Sequence, residues 1–101
     1  MNNLYVGLAS SKIKKRTEIV TFSPDKETAE KNTKERAEKL GCESSIVIEM
    51  IEGNTKHTGE QIYNYALDEL EMTDIEAQYY VQHIAVHILK VFKKDAKERY
   101  K

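Results

Sequence analysis

The chain has 101 residues, and its 16 Lys+Arg and 17 Asp+Glu make it 33% charged with a net charge of only −1. That length fits a single α+β domain (1–101) with one core. A mean hydropathy of −0.66, with no apolar run near the ~18 residues of a membrane span, excludes a membrane-spanning class. A lone cysteine, Cys42, excludes an internal disulfide.

No basic–apolar–small pattern opens the chain as a secretory signal would, so a cytoplasmic protein is expected. Residues 4–9 alternate with Leu4, Val6 and Leu8 on one face and Tyr5, Gly7 and Ala9 on the other. Both faces are apolar or small, as in a central strand. A polar, basic stretch, 10–16, leads to a second strand over 17–22, with Val20 and Phe22 expected inward; the two strands form a hairpin. Ser23-Pro24-Asp25 signals a helix start, with Ser23 as cap and Pro24 at the first helical position. This helix should run to Leu40 and stop at Gly41, with the thin stripe Ala29, Thr33, Ala37 and Leu40 turned inward. Cys42, just beyond, has no visible base beside it and reads as a half-buried junction residue.

Residues 45–51 form the third strand. Thr58-x-x-Gln61 has capping-box spacing and opens a helix to about Glu71; Thr73-x-x-Glu76 repeats the box and opens a long last helix over 74–99. The order is β-β-α-β-α-α. A right-handed crossover makes strand three parallel to strand two. With strand one between them, the sheet is antiparallel in order 2-1-3.

The last helix carries a broad apolar face of Ala77, Tyr80, Val81, Ile84, Ala85, Ile88, Val91 and Phe92, with Leu89 beside it. Ile75, Tyr79 and Val86 lie on nearly the opposite side. A chain this short has few layers with which to bury a helix all round. Ile75, Tyr79, Val86 and Leu89 are therefore the candidate partner interface, with a homodimer expected. His83 and His87 have the spacing of two metal ligands on one helical turn. A third ligand would have to be Glu76, His57 or Cys42, and Lys90 and Lys94 oppose a cation, so no metal is expected.

Charge is divided along the chain. Residues 1–24 set four bases against Glu18, for +3; residues 25–42 hold five of each sign. Residues 43–76 set Lys56 against nine acids, for −8, and residues 77–101 set six bases against Asp95 and Glu98, for +4. The basic hairpin Lys12, Lys14, Lys15 and Arg16 and the helix residues Lys90, Lys94 and Lys97 are candidate contacts to nucleic acid or to an acidic partner, with Tyr5 or Tyr100 available for stacking. The slightly acidic pI of 6.3 weighs against nucleic acid. Asp68, Glu69 and Glu71 sit at a helix end where acids are unfavourable, which points to a basic partner or to the chain's own basic ends.

Gly53 and Gly59 flank Asn54-Thr-Lys-His-Thr58 with the wrong spacing for a phosphate loop, although Lys56, His57 and Thr58 at a helix start could hold an anion. No catalytic motif is present, so neither an enzyme nor a cofactor is expected. In general character this short Lys/Glu/Ile-rich chain resembles the small accessory proteins of phages and mobile elements. The expected function is a non-enzymatic binding or regulatory protein acting through protein contacts as a homodimer; an inhibitor of a host system that mimics nucleic-acid charge is one form of it. The alternative is a DNA- or RNA-binding protein using residues 12–16 and the basic C-terminal helix.

Overall fold

Strand β1 (Asn3–Ser11) lies at the centre of a three-stranded sheet, antiparallel to β2 (Arg16–Ser23) on one side and to β3 (Ser44–Ile51) on the other. The order is β2-β1-β3. The computed structural model describes the backbone of residues 3–51 and 53–99 and the side chains of 4–51 and 53–90. Helices α1 (Lys26–Leu40), α2 (Thr55–Asp68) and α3 (Asp74–Arg99) complete an α+β fold in the order β-β-α-β-α-α. No helix among the described residues is long and apolar enough to cross a membrane.

The alternation of β1 divides the molecule into layers. Val6 and Leu8 join Ile48 of β3, Ile62 of α2, and Ile84 and Ile88 of α3 in one buried cluster. Burial of each such side chain stabilises the fold by roughly 1.5–3 kcal/mol. The opposite face of the sheet presents Gly7 to α1, where Thr33 packs directly over it. The buried residues of α1 are Ala29, Thr33 and Ala37, small side chains that let a helix approach a sheet closely.

One register shift alters the reading of β2. Gly7 pairs with Thr21 but Leu8 pairs with Ile19, so Val20 is an extra residue in a bulge. Ile19 and Phe22, rather than Val20 and Phe22, therefore pack on the core. Val20 turns towards a solvent-open groove between β2 and α1, lined also by Thr21, Asn32, Glu35, Arg36 and Lys39.

The helix ends show which polar residues the backbone selects. Asp25, not Ser23, caps α1: its carboxylate accepts from the Thr28 N–H at 2.9 Å, while Ser23 Oγ accepts from the Asp25 N–H. Pro24 consequently precedes the cap. At the other end Gly41 adopts φ 70, and Cys42 N–H donates to Ala37 O and Gly41 N–H to Glu38 O. This pair of bonds is the glycine-dependent helix stop expected there. Helix α2 starts three residues before its expected box, because Asn54 Oδ1 accepts from the His57 N–H.

Gln61 is thereby released for another task. Its amide accepts from Glu49 N–H at 2.8 Å and donates to Glu49 O at 2.7 Å, covering the outer edge of β3. Replacing Gln61 with Leu leaves both backbone groups unpaired, and urea unfolding should show a loss of about 1–3 kcal/mol. A change inside 0.5 kcal/mol would mean that solvent serves this edge equally well. The second box forms as read: Glu76 N–H donates to Thr73 Oγ1, and Thr73 N–H to Glu76 Oε1.

Candidate interaction surface

Helix α3 has two apolar sides with opposite fates. Ala77, Ile84 and Ile88 are buried, and Tyr80 and Val81 pack against the core from its margin. Tyr80 also bonds through its hydroxyl to Thr17 Oγ1 of β2 at 2.8 Å, tying the helix to the hairpin. On the other side Ile75 is 67% exposed, Tyr79 70%, Val86 52% and Leu89 52%. Leu89 therefore belongs with the outer stripe and not with the core face it adjoins in sequence. At 3.6 residues per turn, Ile75, Tyr79, Gln82, Val86 and Leu89 stay within about 40° of one line along the helix, roughly opposite Ile84. Val91, Phe92, Lys94, Lys97 and Tyr100 lie outside the residues whose side chains are described.

The basic hairpin tip sits against the chain's own acids. Lys12 Nζ lies 3.7 Å from Glu71 Oε1 at the α2–α3 corner, and Lys12 N–H donates to Glu43 Oε1. Arg16 pairs with Glu18 at 2.6 Å. Hydrogen bonds from Thr73 hold the Glu76 carboxyl below the usual carboxylate range, and the nearby Lys15 lowers it further. Lys14 is exposed. The finger thus lies at the start of α3, whereas Lys90 lies about 24 Å further along the helix. Among the described side chains, Lys90 does not share a surface with the finger, and at the corner Glu71 meets Lys12 and Glu76 lies near Lys15. Ile13, at the end of the finger, is 89% exposed.

The remaining candidates separate. The rings of His83 and His87 are parallel with centroids 6.5 Å apart, and both residues are exposed. Among the described residues no group of three His, Cys, Asp or Glu is placed to hold a metal. His57 is engaged by Glu49, with Nε2 3.3 Å from Oε1, and Tyr5 donates its hydroxyl to the same carboxylate. His57 and Tyr5 thus share the Glu49 carboxylate. Lys56 is exposed and Thr58 half-buried on the first turn of α2. Cys42 is half-buried where α1 passes into β3.

Stability should fall in acid for a stated reason. A hydrogen bond from the Thr28 hydroxyl lowers the Asp25 carboxyl, the Lys12 N–H lowers Glu43, and Thr73 lowers Glu76. Each is charged more readily folded than unfolded. The stability each lends is complete above the unfolded carboxylate range, near pH 4, and is lost as pH falls through the lower folded values. Melting temperature should therefore drop between pH 5 and pH 3, and by less in Asp25→Asn. An equal drop in that variant would remove Asp25 from the explanation.

No protein-family model matches the chain, and neither a curated protein nor a solved structure matches it significantly.

Proposed function

We propose that this chain is a non-enzymatic protein-binding module, a small regulatory accessory protein that works as a homodimer through the outer face of α3. The observation that carries this reading is the exposure of Ile75, Tyr79, Val86 and Leu89 along one line of a helix whose other side is already buried. Single exposed apolar residues are ordinary; four on one line form a continuous patch of the kind that marks contact with another protein. The double variant Tyr79→Glu/Val86→Glu should run as a monomer in gel filtration while its circular dichroism stays that of the parent. An assembly unchanged by the two charges would overturn the choice of surface.

The pairing of Lys12 with Glu71 at the α2–α3 corner and of Arg16 with Glu18 within the hairpin favours this reading over nucleic-acid binding. A protein that binds phosphates gains affinity from each uncompensated base, and that gain weakens steeply with salt. Generic DNA and RNA should show no mobility shift at physiological salt. A shift abolished by Lys14→Ala/Lys15→Ala/Arg16→Ala would instead establish the hairpin as a nucleic-acid contact.

A further inference from the structure

Resting on the reading of α3 as a homodimer surface, we infer that two copies pair α3 against α3 in antiparallel orientation, with the two-fold axis at Gln82. The outer line runs Ile75, Tyr79, Gln82, Val86, Leu89, with steps of four, three, four and three residues. This is the alternating spacing of a helix that packs along a partner helix. A two-fold interface must match this line to itself, either in the same direction or reversed.

Charge selects the reversed direction. Run in the same direction, the acidic start of each helix (Asp74, Glu76) would lie level with that of the other, and Lys90 level with Lys90. Reversed about Gln82, Asp74 comes level with Lys90 of the second copy. In that register Ile75 comes level with Leu89 of the second copy and Gln82 with Gln82, while Tyr79 and Val86 of the second copy are neighbours offset by one residue, about 1.5 Å along the axis. Two facing amides at the centre can bond to each other, and a polar residue in a helix seam fixes register in this way.

Cysteine cross-linking tests the orientation. In a Cys42→Ser background, Ile75→Cys and Leu89→Cys are made as separate proteins, then mixed, allowed to exchange and oxidised. Antiparallel pairing predicts a covalent dimer in the mixture at least ~10-fold faster than in either protein alone, since cysteines whose Cα atoms lie more than ~7 Å apart do not bridge. Gln82→Cys alone should link to itself. Rapid self-linking of Ile75→Cys would overturn the antiparallel arrangement while leaving the dimer intact. So would a dimer by light scattering in which the mixture does not link. A monomer by light scattering at every concentration would instead remove the homodimer, and this pairing with it.

Discussion

Gly7→Ala is expected to destabilise the fold by about 3 kcal/mol, the upper part of the range for overpacking a close-packed site. A Cβ at this position would lie 1.9 Å from Thr33 Oγ1, 2.8 Å from Thr21 Cγ2 and 3.0 Å from Thr33 Cβ. Thr33 is itself 2% exposed and held by α1, so relief requires the helix to move off the sheet. That displacement would also loosen Ala29 and Ala37, which pack by the same closeness. Thr33 Oγ1 is buried without a hydrogen-bond partner; the side chain is there for its shape. Thr33→Val keeps the shape, removes the unpaired hydroxyl, and should leave stability unchanged or raise it by about 1 kcal/mol. Thr33→Ala should recover part of the loss in the Gly7→Ala background, because the nearest clashing atom is gone while Cβ remains. Urea denaturation of the four proteins completes a double-mutant cycle. A Gly7→Ala protein within 0.5 kcal/mol of the parent would contradict the packing of α1 described above.

The second large effect separates the two sides of α3. Ile84 is 2% exposed within the main cluster, and Ile84→Ala should cost about 2–5 kcal/mol through lost burial and the cavity left behind. Val86 sits two residues away on the outer line. Val86→Ala should change the stability of the isolated chain by less than about 0.5 kcal/mol, yet weaken association. Removal of two methyl groups from a helix seam is worth about 1 kcal/mol or more per copy. Because two-fold symmetry counts the change twice, the dissociation constant should rise by roughly 30-fold or more. Unfolding must be followed at a concentration well below dissociation, since dimerisation itself adds apparent stability. If Ile84→Ala and Val86→Ala lowered stability equally in dilute solution, α3 would be buried on both sides within one chain.

Most of the fold is written in local patterns. The apolar alternation of both faces of β1 places it centrally, the Gly41 stop ends α1, and the Thr73–Glu76 box starts α3. What local pattern does not carry is relational. The bulge at Val20 exists because β2 must keep pairing with β1 beyond Gly7, and no residue of β2 announces it. The box-like Thr58-x-x-Gln61 spacing misplaces the start of α2 because Gln61 answers a tertiary demand, the free edge of β3, and Asn54 is the better-placed cap. Ser23 and Asp25 both have capping chemistry, and only the path of the chain out of β2 decides between them. For the candidate surface, helical periodicity alone separates Ile75, Tyr79 and Val86 from the core. Leu89 lies between the two faces on a helical wheel and needs the neighbours of α3 to assign it. The segmental charges were legible as +3 and −8, but their contact at the hairpin tip follows from a hairpin long enough to reach the α2–α3 corner.

That contact turns the functional reading away from phosphate binding and towards the apolar line on α3, and one solution measurement bears on it most directly. Multi-angle light scattering over a hundredfold range of concentration, at physiological salt, should give a mass approaching twice 11.7 kDa at the upper end, and the monomer mass throughout for Tyr79→Glu/Val86→Glu. A parent protein that stays at 11.7 kDa across the whole range would contradict the assignment of the outer face of α3 as a contact between copies of this chain.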